Sequence, residues 1–430
     1  MLRNAFRLLQ AAKRKPTSPI IDLSVENSIL KTTDGRRLRL KTHKASATTA
    51  KIKNKYQKPA WTDSVLQIVT NDIHSAIKNA SNNDKFTEKA LSSMKYFDGK
   101  GKQIRPLMIL MMGNFLNGNT NIQDPNIRRI AVATEMLHAA SLMHDDVLDE
   151  SLLRRNNPTL NAIFNESNAI LIGNFIVGEG WRILAKTGNP KVLKSFSTAM
   201  SELIHGELVQ IAGSEGGAEN KQTKKGQNEY LVSKVLSFDT YIEKSYLKTG
   251  ALMANTLKAT AQVTHPKNEQ LHNHIFNFGK SVGIAFQIID DCLDFIVDSE
   301  ISGKPSQGAD LSLGIITAPV MFAAQENANN PEEYSSKINE FIDKKFKKHE
   351  KDQFQCPEMI QETVEIVKKC GAIEQSRKLA DIYAADAIFE LGQVRSILKA
   401  EGPDNKITEN IDKAFKEIEE LVSYILSRVK

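Results

Sequence analysis

From about Ala60 to the end of the chain, apolar residues recur at spacings of three and four, the period at which side chains share one face of an α-helix. The pattern is clearest over residues 130–148, 169–184, 195–211, 271–295 and 360–397. Alternating strand-like runs between hairpin turns are nearly absent. The pattern therefore predicts an all-α fold, a single large antiparallel helix bundle whose helices are mostly joined by short loops. Residues 106–116 (PLMILMMGNFL) are the longest strongly apolar stretch. They fall short of the roughly 18 residues of a membrane span and predict a buried core helix. Two polar stretches interrupt the bundle pattern. Residues 213–228 (GSEGGAENKQTKKGQN) predict a flexible surface loop, and residues 326–357 a surface excursion with short helical pieces such as 338–346. Neither reads as a domain linker, because the chemical motifs lie on both sides of the first.

Charge divides the chain differently. The net charge is +6, yet residues 1–60 hold fifteen Lys and Arg against Asp22, Glu26 and Asp34, so the remainder is net acidic. The basic character belongs to the start of the chain, and no nucleic-acid partner is expected of the helical part. The first twenty residues contain no acid; Leu2, Phe6 and Leu9 share one helical face while Arg3 and Arg7 lie on another. Such a start resembles a mitochondrial transit peptide, the alternative being a disordered basic tail. The expected division is residues 1–59 as a targeting or disordered basic segment and 60–430 as one all-helical catalytic domain. Cys292, Cys356 and Cys370 are widely separated, which speaks against a disulfide framework or a structural zinc site and fits a reducing interior such as cytosol or mitochondrial matrix.

The strongest chemical signal is a pair of aspartate clusters. His144-Asp145-Asp146-Val147-Leu148-Asp149 is echoed by Ile289-Asp290-Asp291-Cys292-Leu293-Asp294, each closing an otherwise apolar helix. Positions i and i+4 stack on a helix, so Asp145 pairs with Asp149 and Asp290 with Asp294. Like charges held this way repel, and apolar neighbours worsen their solvation. A cation between them relieves both, and hard oxygen ligands with room for water and phosphate oxygens suit Mg²⁺. One such cluster could equally be a solvated acidic helix end; two, each set in apolar helix, argue for metal. Ions held on two walls suit a leaving diphosphate, and no Ser/His/Asp arrangement is evident.

Basic residues sit where a diphosphate would need them. In residues 99–106 (GKGKQIRP), Lys102 and Arg105 are three apart at a helix start, a geometry suited to phosphate. Arg154 and Arg155 follow the first cluster, Lys248-Thr249-Gly250 closes a helical stretch, and Lys304 follows the second cluster. Taken singly, each is more often a surface salt-bridge residue. His138 lies seven residues before Asp145 on nearly the same helical face, either a core histidine or a diphosphate contact.

These segments, with residues 136–158 (MLHAASLMHDDVLDESLLRRNNP), 206–210 (GELVQ), 246–252 (YLKTGAL), 286–295 (FQIIDDCLDF) and 303–311 (GKPSQGADL), resemble the trans-isoprenyl diphosphate synthases from about residue 59 onward. The resemblance implies a helix bundle around a central cavity and sequential head-to-tail condensation of isopentenyl diphosphate onto an allylic diphosphate. It assigns metal to Asp145, Asp149 and Asp290, with Asp146 and Asp294 supporting through water or neighbouring ligands, and about three Mg²⁺ ions when substrate is bound. It assigns isopentenyl diphosphate to Lys102, Arg105, His138 and Arg155, and the allylic diphosphate to Arg154, Lys248 and Lys304. Thr249 and Gln287 would stand beside the reacting carbons. Asn156 and Ile315 replace a common Gly and Lys of the family. The segment ADLSLGIITAP is similar to the mitochondrial long-chain synthases that make the ubiquinone side chain. The same resemblance implies a homodimer, with a hetero-oligomer left open, and a greasy product suits peripheral attachment to the inner membrane.

Product length is also addressed by the sequence. The helix leading to Asp145 presents Ala140, Ser141, Leu137, Met136 and Ala133, with no Phe, Tyr or Trp between Ile130 and Asp145, which leaves room for a long product. Alternatives are a short-chain farnesyl or geranylgeranyl synthase, a non-catalytic subunit, or a terpene cyclase. The intact second cluster favours a catalytic synthase over the last two.

Overall fold

The computed structural model describes residues 29–31, 37–39, 60–80, 103–118, 124–154, 157–214, 237–296, 307–325, 332–347, 357–401 and 405–428. The chain divides into two units, Met1–Asn54 and Lys55–Lys430. In the first, strands β1 (Ile29–Lys31) and β2 (Arg37–Arg39) pair antiparallel with Ile29 opposite Arg39. The transit-peptide expectation and residues 215–228 of the expected loop lie outside the described residues.

The second unit is all-α. Helices α1 (Ala60–Ala80), α2 (Ile104–Asn117) and α3 (Pro125–Leu148) come first. Asp124 starts α3 by accepting the Asn126 N–H at 2.7 Å, and Pro125 occupies the first turn, where its missing N–H costs nothing. A two-residue hairpin, β3 (Leu153–Arg154) with β4 (Asn157–Pro158), then reverses the chain into α4 (Leu160–Phe164), α5 (Glu166–Ala185) and α6 (Pro190–Ser214). Helix α7 (Phe238–Ser245) runs through a π-helical turn (Tyr246–Gly250) into α8 (Ala251–Thr264), followed by the long α9 (Glu269–Ile296). Short α10 (Ala309–Ser312) and α11 (Ala318–Ala323) precede α12 (Glu332–Lys347), α13 (Pro357–Lys369), α14 (Ala372–Glu401) and α15 (Asn405–Leu426).

The expected core helix is α2, buried from Pro106 through Leu116. Helix α8 is buried almost all round, and α9 packs against both α8 and α14, while α3 lies along α5 and α2. A Cβ on Gly283 of α9 would stand 2.4 Å from the Gly250 Cα, and one on Gly279 2.7 Å from the Ala254 Cα. These two glycines let α9 touch the backbone of the π turn and of α8. That approach sets the site. Two expectations change in detail. Residues 360–397 form two helices, broken at Gly371, whose φ of 78° ends α13. Residues 338–346 belong to the longer amphipathic α12. Cys292 and Cys370 are buried free thiols, and no described helix is long and apolar enough to cross a membrane.

Candidate active site

Both aspartate clusters occupy the C-terminal end of their helix, where unpaired carbonyls already give a partial negative charge. Neither α3 nor α9 has a basic residue in its last turn. Carboxylates at this pole are doubly disfavoured, by the helix and by one another. Asp149 caps α3 with its N–H on the Asp145 carbonyl at 2.8 Å, which fixes the two side chains one turn apart. Burial, then the Glu207 carboxylate and Asp149, push Asp145 up to about 7 against the pull of Lys248 and Arg154. Asp149 is raised by burial and by Glu207, with Lys248 opposing.

Lys248 connects the walls. It projects from the π turn, its Nζ 3.6 Å from Glu207 Oε1. Burial works against its charge, but Glu207, Asp145, Asp149 and Asp310 outweigh that, and its pKa rises. Asp310 belongs to the second wall, where its N–H donates to Asp294 Oδ2 at 3.2 Å. A π turn widens the helix locally and is common at functional sites. Lys244, one turn earlier, is lowered by burial, with Asp291 and Asp310 pulling the other way.

Within each cluster the three aspartates are not equivalent. Asp146 is 1% exposed and both of its oxygens accept from Arg154, at 2.8 and 2.9 Å from Nε, with Nη2 2.6 Å from Oδ1. The structure thus pairs two residues that the sequence assigned to metal and to the allylic diphosphate. Asp291 is likewise turned inward, accepting from Tyr241 Oη at 2.6 Å and Gln287 Nε2 at 2.7 Å. Burial and Asp310 push it up to about 7. Asp145, Asp149, Asp290 and Asp294 remain as the candidate ligands. Among the described residues no three carboxylate, His or Cys donors converge into a metal site on their own. An ion there would complete its shell with water and phosphate oxygens, as Mg²⁺ does.

Beside the second cluster, Arg428 Nη1 lies 2.8 Å from Asp290 Oδ1, and its guanidinium sits 4.5 Å over the Phe286 ring. Arg377 holds this end of the chain by donating to the Leu426 and Arg428 carbonyls, each at 3.2 Å. Arg105 lies 6.0 Å from the same Phe286 ring and donates to His138 Nε2 at 3.0 Å. Arginine can only donate, so His138 accepts at Nε2. Thr249 donates to Gln287 Oε1 at 2.5 Å. The expected contacts Arg105 and His138 are therefore together, as are Thr249 and Gln287. Lys102, Arg155, Asn156 and Lys304 lie outside the described residues. Ile315 donates its N–H to the Asp310 carbonyl at 2.8 Å, a backbone role open to any side chain but proline.

The polyprenyl synthetase family model matches residues 84–359, a span that contains both clusters and Lys248. The chain belongs to this family. Its sequence is 35% identical over 303 residues to the all-trans-polyprenyl-diphosphate synthase of Homo sapiens, covering 70% of this chain and 65% of that protein. It is 34% identical over 267 residues to the probable mitochondrial hexaprenyl pyrophosphate synthase of Yarrowia lipolytica, covering 62% and 53% respectively. The chain thus spans under two thirds of the length of these curated relatives. The fold of this family member is similar to the crystal structure of a polyprenyl synthase from Caulobacter crescentus complexed with calcium and isoprenyl diphosphate. The TM-score is 0.64 at 23% identity, over 87% of this chain and 100% of that one.

Sequence reasoning missed Glu207, Asp310, Tyr241 and Arg428. Glu207 stands in the GELVQ segment, and Asp310 in GADL, so their segments were visible although their charges were not placed. Nothing local marks Tyr241 or Arg428, which reach the site only through packing.

Proposed function

We propose that the chain is a long-chain trans-polyprenyl diphosphate synthase that extends an allylic diphosphate with isopentenyl diphosphate and supplies the side chain of ubiquinone. The observation that carries the reading is the pair of carboxylate-ended helices with Lys248 between them. The donor set fits a hard divalent cation, being all oxygen, with Asp145 and Asp149 desolvated and repelled by Glu207. Asp145, Asp149, Asp290 and Asp294 would hold magnesium, three ions in the substrate complex, with Asp146 anchoring Arg154 beside them. Bound magnesium supplies positive charge to the departing diphosphate.

The chain's own residues do the rest. Lys248 and Arg154 add fixed positive charge at the allylic diphosphate, aided by Lys304. Arg105, with Lys102 and Arg155, binds isopentenyl diphosphate, and His138 orients Arg105 by accepting from it. Heterolysis of the allylic C–O bond leaves a resonance-stabilised cation between the walls. The isopentenyl double bond then attacks it, and the condensed cation passes a proton to the departed diphosphate as the new double bond forms. Thr249 and Gln287 present oxygen dipoles beside that cation. Incubating the purified chain with farnesyl and isopentenyl diphosphates and Mg²⁺ is expected to release one diphosphate per unit added and yield a long polyprenyl chain. Arrest at farnesyl or geranylgeranyl length would instead support a short-chain synthase, and no release a non-catalytic subunit.

Long products rest on the face of α3 upstream of Asp145. Helix α5 approaches this face through Gly180, whose added Cβ would be 3.3 Å from Leu137 Cδ2, and through Gly173 beside His144. Ala140 lies between Leu137 and His144 on that face and is fully buried. Ala140→Phe is expected to shorten the product while diphosphate release continues. Unchanged chain lengths by chromatography would move the product path to another helix pair.

A homodimer is the proposed assembly. Leu171 on α5 is 64% exposed and Leu208 on α6 60%, with Ile170 and Ile204 also exposed. Large apolar side chains spread over two adjacent helices suit a second copy of the same surface. Leu171→Glu with Leu208→Glu is expected to halve the mass measured by light scattering. An unchanged mass would place the interface elsewhere. The matrix of the mitochondrion, with peripheral attachment to its inner membrane, is the proposed location, supported by the basic start of the chain and by the mitochondrial relative.

A further inference from the structure

Three buried groups and the half-buried Gln287 form an unbroken hydrogen-bonded chain beside the site. Tyr241 Oη donates to Asp291 Oδ2 at 2.6 Å, Gln287 Nε2 donates to Asp291 Oδ1 at 2.7 Å, and Thr249 Oγ1 donates to Gln287 Oε1 at 2.5 Å. Tyr241 is 4% exposed, Asp291 3% and Thr249 6%, so water is not available to replace a lost partner. The chain crosses three elements: α7 supplies Tyr241, α9 supplies Gln287 and Asp291, and the π turn supplies Thr249.

A primary amide is polar end to end, and its orientation decides which sign it presents. Both Asp291 oxygens accept, Oδ2 from Tyr241 and Oδ1 from Gln287 Nε2, so Gln287 gives Asp291 its NH₂ end and leaves its carbonyl end toward Thr249. Thr249 spends its hydroxyl proton on that carbonyl and keeps its own lone pairs outward. Thr249 adjoins Lys248 in the π turn, and Lys248 feels the charges of both walls, so the two oxygens lie beside the site. Tyr241 occupies the second oxygen of Asp291 and so stops the carboxylate from rotating about its Cβ–Cγ bond.

We propose that Tyr241 is a positioning residue for the condensation, fixing the Gln287 amide through Asp291 so that its carbonyl and the Thr249 hydroxyl oxygen oppose the developing allylic cation. This rests on the prenyl-transfer reading and deepens it, because a negative dipole aimed at the cation helps only a reaction in which charge develops there. Tyr241 is buried and spends its hydroxyl proton on Asp291, so it would act through that residue.

The test is steady-state kinetics of full-length Tyr241→Phe with Mg²⁺, farnesyl diphosphate and isopentenyl diphosphate. The variant is expected to lose roughly tenfold in kcat, typical of removing a partner that orients a functional group. KM for both diphosphates and the midpoint of Mg²⁺ activation should stay unchanged. Tyr241→Phe is also introduced on a Gln287→Met background, where it should have no further effect because its target is gone. An unchanged kcat, an equal loss on both backgrounds, or a loss accompanied by a shifted Mg²⁺ midpoint would each overturn the proposal. If Tyr241→Phe folds poorly, Tyr241→Leu on both backgrounds gives the same comparison of losses. Condensation by the wild-type chain with no Tyr241 effect removes this inference alone. No condensation by the wild-type chain removes the prenyl-transfer reading as well.

Discussion

Asp145→Ala is expected to lower condensation roughly a thousandfold, equivalent to about 4 kcal/mol of lost transition-state stabilisation. Its thermal unfolding midpoint should be no lower than that of the metal-free wild type. The two expectations share one cause. Asp145 sits at the negative end of α3 beside Asp149 and Glu207, where its charge costs free energy unless a cation is bound. Removing it relieves the repulsion and deletes a ligand together. A residue kept for stability would behave in the opposite way, with a lower midpoint and intact turnover. Mg²⁺-dependent product formation and calorimetry on the same preparation distinguish the two.

Gly283→Ala is the second large effect expected, and it acts through backbone. The added methyl would meet the Gly250 Cα at 2.4 Å, the Gly250 N at 3.1 Å and the Thr249 carbonyl oxygen at 3.4 Å. None of these atoms can move without moving the π turn itself. Overpacking of this kind costs about 1–3 kcal/mol of stability. It also pushes α9 away from Thr249, one turn from Gln287, and a displacement near 1 Å can cost on the order of a hundredfold in rate. Denaturant unfolding and kcat measured together check both halves. A Gly283→Ala enzyme of normal stability and rate would mean that α9 and the π turn are not in the contact described.

Much of this was legible in the chain before its fold was seen. The helical period located α3, α5, α6 and α9, because each buries one long apolar face, and the paired aspartates marked the candidate site through their i, i+4 repulsion. The break at Gly371 was missed because the apolar period runs through it on either side. What periodicity cannot carry is the direction of a polar side chain. Asp145 and Asp146 are neighbours in sequence, yet one faces the site and the other is sealed under Arg154. Asp290 and Asp291 diverge in the same way, one toward Arg428 and the other toward Tyr241. Those partners lie far off in sequence and are brought in by α7 and the end of α15, so only tertiary packing could reveal them.

The claim that the carboxylate walls exist to hold divalent cations is tested most directly by the unfolding midpoint of the purified chain between about pH 5 and pH 8. It is measured without metal and with Mg²⁺ plus inorganic diphosphate. Unfolded, Asp145 releases its proton near 3.8, whereas in the fold it keeps it to about 7. The native chain therefore holds an extra proton within that window, and metal-free stability falls as pH rises through it. Magnesium needs the ionised carboxylates, so its stabilising effect should be small near pH 5 and large near pH 8. Asp145→Ala should weaken both dependences, with Asp291, also pushed up to about 7, keeping part of the metal-free slope. A metal-free midpoint that climbs with pH, or a magnesium effect equal at both ends of the range, would contradict the account.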